Sequence, residues 1–156
     1  MRGVYTVEIK VSALATTKSG ILLINVSTKV LEILSAHIGD VGSNVTNQQL
    51  EAQLARVSSV GSPAGTGLTP NPEEPGDQAS ALVATTNVLG GLTTDVTTKA
   101  VNVDHQGFAS LAGYQFAPLP EERPIVAPSG AICLGLVVAP GVAFDAVFQL
   151  KYREIG

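Results

Sequence analysis

The residues of this chain that could do chemistry are two histidines, one cysteine and thirteen carboxylates. His105 follows Asp104 directly, and an aspartate that orients an imidazole would make that histidine a general base. A base needs a nucleophile, and no Ser lies in the Gly-x-Ser-x-Gly elbow that would present one. The other reading of Asp104–His105–Gln106–Gly107 is a turn whose aspartate bonds nearby backbone, and the strand-like residues on both sides favour it. His37 ends an apolar run, where a histidine packs or caps. With two histidines in all and no cysteine beside either, a two- or three-histidine metal site has little support. Cys133 sits inside the apolar run Ala131–Ala139, the setting of a buried structural thiol rather than a nucleophile.

The carboxylates offer no better start. Glu73, Glu74 and Asp77 stand close enough to hold a hard cation such as calcium, but their spacing matches no EF-hand loop and suits a solvated acidic tip. Glu121–Glu122–Arg123 fits a solvated turn. Gly65–Thr66–Gly67 has no following helix to complete a phosphate loop. Without Trp, and with 4% aromatic residues, a sugar-stacking groove is not expected. No catalytic, cofactor-binding or metal residue is therefore assigned, and the expectation is a protein that is not an enzyme.

The elements that would position these residues are strands. The chain is one domain by its length, 156 residues, and 16 Gly and 9 Pro cut it into short segments. Gly3–Val11 alternates. Gly20–Val26 is apolar and ends at the turn-prone Asn25–Val26–Ser27–Thr28. Lys29–Ile38 follows. Thr46–Ser59 fits a helix through Leu50, Leu54 and Val57, and a strand through Leu50, Ala52 and Leu54; the surrounding pattern selects the strand.

Gly61–Gln78 is too rich in Pro and Gly for regular structure and reads as one long loop. Asp77–Thr85 suits a short helix or an extended edge. Thr97–Val103 and Ser110–Phe116 read as strands around the Asp104–Gly107 turn, and Pro118–Pro128 is a connection. Ala131–Ala139 is a buried strand by its unbroken apolar run. After Pro140–Gly141, Val142–Arg153 has the clearest period of two in the chain. About eight short strands without crossover helices make an antiparallel β-sandwich, for which a jelly roll is the form to expect.

Composition excludes some partners. Net charge is −4 with a pI near 5.0 and no Lys/Arg cluster, so a nucleic-acid backbone has nothing to bind. The longest apolar stretch is far too short to span a bilayer. The opening Met1–Arg2–Gly3 runs straight into alternation, unlike a signal peptide, and one cysteine excludes an internal disulfide, which fits assembly in a reducing cytosol. A 14% share of charged residues and a mean hydropathy of +0.30 point to apolar surface covered by other chains.

Several stretches together resemble a family. Val4–Tyr5–Thr6–Val7–Glu8–Ile9, Leu31–Glu32–Ile33 and Gln49–Leu50–Glu51–Ala52–Gln53–Leu54 resemble its early strands. Leu68–Thr69–Pro70–Asn71–Pro72 with Pro75–Gly76–Asp77 resembles its proline-punctuated middle. Leu119–Pro120–Glu121–Glu122–Arg123–Pro124, followed by Gly130–Ala131–Ile132–Cys133–Leu134–Gly135–Leu136 and a close at Tyr152–Arg153–Glu154, resembles its last third. The family is that of the capsid decoration, or cement, proteins of tailed bacteriophages. Two departures stand out: Tyr114 and Phe116 occupy the region where a Trp is expected, and Ala79–Thr94 matches only in its small residues.

The resemblance implies a structural virion protein on the outer capsid surface, assembled in the host cytoplasm. It implies binding to the major capsid protein and to itself, as a homotrimer. Such proteins lock the expanded shell against internal pressure. Met1–Thr6 or the loop Gly61–Gln78 would then reach over the shell, since neither is plainly needed for a core. The alternative is a trimeric tail-fibre, head-fibre or glycan-binding β-module, normally fused to a shaft.

Overall fold

The computed structural model describes residues 3–15, 20–42, 46–59, 66–81, 88–90 and 98–156. Twelve strands follow in order: β1 (Val4–Leu14), β2 (Gly20–Ile24), β3 (Val30–Asp40), β4 (Gln49–Ser59), β5 (Thr66–Gly67) and β6 (Asn71–Pro72). Then come β7 (Val88–Gly90), β8 (Thr98–Ala109), β9 (Tyr114–Phe116), β10 (Ile125–Val126), β11 (Ala131–Leu136) and β12 (Phe144–Ile155), with a 3-10 turn at Pro120–Glu122. All described pairings are antiparallel. One six-stranded sheet has the order β10-β3-β12-β1-β6, with β9 also on β3; the other runs β5-β7-β2-β11-β4-β8. The expected antiparallel β-sandwich is the observed fold.

Side-chain patterning explains the two layers. Along β12 every even-numbered residue from Phe144 to Glu154 is buried and every odd one is half-buried, the signature of a strand with one face on a core. β2 and β11 are apolar on both faces, and both faces are buried. Ile21, Leu23, Ile132 and Leu134 enter the core between the sheets, which they share with Val7, Ile33 and Phe148 of the first sheet. Leu22, Ala131 and Cys133 form a second apolar cluster with Ala55 and Val57 of β4. Burying one such aliphatic or aromatic side chain contributes about 1.5–3 kcal/mol. Gly20 is required where β2 meets β11, because a Cβ there would lie 2.2 Å from the Leu134 carbonyl oxygen.

The three tyrosines tie the core to its polar margins. Tyr5 stacks on Tyr152 with ring centroids 5.5 Å apart, and Phe108 tilts against Tyr114 at 6.1 Å. Asn25, fully buried, closes the β2–β3 turn: its amide donates to the Lys29 and Val126 carbonyls, and its oxygen accepts from the Ser27 N–H and hydroxyl.

Four expectations need correction. The 104–107 stretch is not a turn but the middle of β8, which runs on to Ala109. Its aspartate is satisfied across the sandwich by Tyr114 rather than by local backbone, and the turn falls at Ser110–Gly113, leaving only Tyr114–Phe116 as strand. The described part of the 61–78 loop is not structureless: Thr66–Gly67 joins one sheet and Asn71–Pro72 the other. The opening Met1–Thr6 segment supplies Val4, Tyr5 and Thr6 to β1, and Tyr5 is 3% exposed, so the described part of that segment belongs to the fold. Finally, β11 stops at Leu136, with Val137 and Val138 exposed beyond it. Residues 46–59 include the strand β4, as the sequence pattern selects. Of Asp77–Thr85, residues 77–81 contain no helix, and the rest lies outside the described residues.

Candidate functional site

The residues singled out for chemistry are kept apart. Adjacent residues of a strand point to opposite faces, so Asp104 and His105 cannot act as a dyad. The Asp104 carboxylate accepts a 2.7 Å hydrogen bond from the Tyr114 hydroxyl, while the His105 Nε2 pairs with Glu51 of β4 on the other face. Burial first, and then the bond to Asp104, raises the Tyr114 hydroxyl well above its ordinary range. His37 is exposed on β3, its ring over Gly39. Cys133 is buried in the second apolar cluster.

Glu73 is drawn out of the acidic group by partners. It accepts from the Thr6 hydroxyl at 2.7 Å and pairs with Lys151 at 2.6 Å. The Lys151 contact, followed by the Thr6 bond, holds its carboxyl below the usual range. Glu74 caps a small turn through its carbonyl, which accepts from the Asp77 N–H at 3.1 Å. No group of three or more His, Cys, Asp or Glu positioned for a metal occurs among the described residues.

Two buried carboxylates escaped sequence reasoning. Glu32, on β3, is 7% exposed and is gripped by both Arg153 Nε, at 2.7 Å, and Arg153 Nη2, with Arg123 Nη1 at 3.4 Å. Glu154, at the end of β12, is 2% exposed. It accepts from Ser80 Oγ at 2.5 Å and the Ala81 N–H at 2.9 Å, and pairs with Lys29 at 3.1 Å. Ser80 Oγ also bonds the Tyr152 hydroxyl at 2.7 Å, and the Tyr5 hydroxyl donates to the Gln78 carbonyl at 2.8 Å. These contacts fasten residues 78–81 across one end of the sandwich. The only signal in the sequence was a glutamate inside the apolar Leu31–Glu32–Ile33 and a charged pair closing β12.

The opposite end is different in kind. The pairs Leu14↔Phe144, Asp40↔Ala146, Leu136↔Ala52, Gln49↔Ala109 and Ile38↔Tyr114 gather the β3–β4, β8–β9 and β11–β12 connections there. Residues 41–48, 110–113 and 137–143 contain no Asp, Glu, Lys or Arg. Val41, Leu111, Val137, Val138 and Val142 are between 36% and 54% exposed, five of the eight large aliphatics so exposed among the described residues.

Backbone and amide bonds brace this pole. Gln48 Nε2 donates to the Val142 carbonyl at 2.7 Å and its Oε1 accepts the Val142 N–H. Ser110 N–H donates to Gln48 O, and Val137 N–H to Glu51 O. Among the described residues, the carboxylates nearest the pole already have partners: Asp40 accepts from the Gly42 N–H, and Asp145 from the Ala13 N–H.

Comparison with protein-family models, curated proteins and solved structures finds no match to this chain. The pole therefore rests on its own geometry: among the described residues its three connections make a braced, uncharged, aliphatic surface with polar margins, the make-up of an interface core inside its rim.

Proposed function

We propose that this protein is a capsid decoration protein, which binds the outer surface of a tailed-phage shell through the uncharged pole and stabilises that shell without catalysis. The observation that carries this reading is the concentration of exposed aliphatics on three charge-free connections, with Gln48 bonded to Ser110 in one and to Val142 in another. Isolated soluble proteins keep large apolar patches covered, and a pre-braced patch loses little freedom on docking. Trimeric association at local three-fold positions would add avidity to each weak contact.

The topology is read the same way. Setting the two- and three-residue strands β5, β6 and β7 aside, the order β1-β12-β3, with β9 and β10 beyond it, faces β2-β11-β4-β8. Successive strands thus alternate between the sheets except from β4 to β8, which pair with each other, and from β9 to β10, which both pair with β3; this order supports a jelly roll.

Replacing Val138 and Val142 by Glu tests the reading. Each valine is about half exposed, so docking would remove the remaining half from water, about 1 kcal/mol apiece. Together the two changes should weaken binding to shells stripped of the protein by about thirtyfold, with more from the buried charges. Stability should change by less than about 0.5 kcal/mol, as for other surface substitutions. Undiminished co-sedimentation of the double variant with shells would refute docking through this pole.

A further inference from the structure

The two sheets end in strands of very different kinds. On three sides the outermost strands have two or three residues: β6 beside β1, β5 beside β7, and β9 and β10 beside β3. Short terminal strands blunt an edge against foreign pairing. The fourth side is β8, twelve residues long, with no strand on its outer edge among the described residues.

Half of β8 is protected by irregularity. Its pairing with β4 shifts register between Leu54 and Ala55, between Arg56 and Val57 and again between Val57 and Ser59, and bulges twist an edge out of use. From Leu54↔Asp104 to Gln49↔Ala109 the ladder is unbroken. Ser110 N–H bonds Gln48 O at 2.9 Å, which fixes the phase of the alternation. Bonded pairs alternate with non-bonded ones, so Asp104, Gln106 and Phe108 turn their backbone groups to β4. His105 and Gly107 turn theirs to the open edge.

A groove of about 480 Å³ lies at the Asp104 end of this regular half, between Val103, Asp104 and Gln106 of β8 and the segment after β9. Val103 and Phe116 supply apolar floor, Pro118 a wall, and Asp104 and Glu122 two carboxylates; no cationic side chain lines it. We infer that the edge of β8 from Asp104 to Ala109 is an acceptor for an extended segment of another protein. That segment adds as a strand and presents a Lys or Arg between two aliphatic residues to the groove. Backbone pairing would supply affinity and the groove side-chain selectivity. Charge argues against a second copy of this chain as the occupant, because edge-to-edge β8 pairing would set Asp104 and Glu122 against their own kind.

The test is a titration of isotope-labelled protein with the heptapeptide Thr-Val-Thr-Lys-Thr-Val-Thr and with its counterpart carrying Glu for Lys, read by amide chemical shifts. The basic peptide should give saturable shifts centred on His105 and Gly107, with the acidic one at least about tenfold weaker. Gly107→Pro removes one edge donor while sparing every bond to β4, and should weaken the basic peptide about tenfold, the value of one such bond. Should that variant fail to fold, Glu122→Lys, exposed on the 3-10 turn, should abolish the preference for the basic peptide. Equal binding of both peptides, binding of neither, shifts elsewhere, or peptide-free dimerisation through β8 would each overturn the inference.

Discussion

The chain holds three tyrosines and no tryptophan, and Tyr5, Tyr114 and Tyr152 are 3%, 1% and 0% exposed. All three hydroxyls are raised above their ordinary value of 10.0, with burial the largest cause in each. Tyr114 is pushed up further by Asp104, and Tyr152 by Glu154 and Tyr5 against a lowering bond from Ser80. A group whose folded value is raised stabilises the fold fully below its unfolded value. That stability is lost as pH rises from there towards the folded value. Above pH 10 the unfolded chain therefore releases protons that the folded chain keeps.

Each tyrosine held neutral costs about 1.4 kcal/mol of stability per pH unit. Tyr114 and Tyr152, the two most strongly raised, together cost about 2.7 kcal/mol per unit. Two to three units above 10 this reaches the roughly 5–15 kcal/mol by which domains are folded. An alkaline titration followed by tyrosinate absorbance and far-ultraviolet circular dichroism should show at most one tyrosine, Tyr5, ionising in the folded chain, with the other two ionising together with unfolding. Tyr114→Phe should halve the slope of stability against pH above 10. Tyrosinate absorbance of two or more residues rising near pH 10 with the dichroism still native would refute the packing of Tyr114 and Tyr152.

Other consequences follow from the polar network. Glu154→Gln keeps the volume and an acceptor for Ser80 and Ala81, but turns two charge-assisted bonds into neutral ones and faces an amide donor to Lys29. A loss of about 2 kcal/mol in denaturant unfolding is expected, and Lys29→Met, which leaves the buried Glu154 carboxylate without its cation, should cost at least as much. Glu73, lowered by Lys151 and Thr6, contributes stability above its unfolded value that is lost as pH falls through the folded one. Glu73→Gln should therefore flatten part of the acid limb of stability below pH 4.5, and a limb of unchanged steepness would contradict the contact. The magnitude is small because the site is more than a third exposed.

What was legible in the sequence was what depends on period and punctuation. The alternation of Phe144 to Tyr152 marked β12 correctly, and the unbroken apolar run of β11 announced a buried strand. What stayed hidden depends on partners remote in the chain. Asp104 reads as a turn former until Tyr114 is seen beneath it, and Gly107 reads as a breaker although β4 carries the strand straight through. Thr66–Gly67 and Asn71–Pro72 have no strand signal; β7 and β1 recruit them. The pole was illegible for the same reason, since its valines and Leu111 come from three connections that only the ladders bring together.

The most direct test of the decoration reading is the number of copies of this polypeptide in purified virions, counted by quantitative peptide mass spectrometry against the major capsid protein. Closed shell symmetry predicts about one copy per capsid subunit. A handful of copies per particle, or none, would contradict it, the former moving the protein to a tail or fibre.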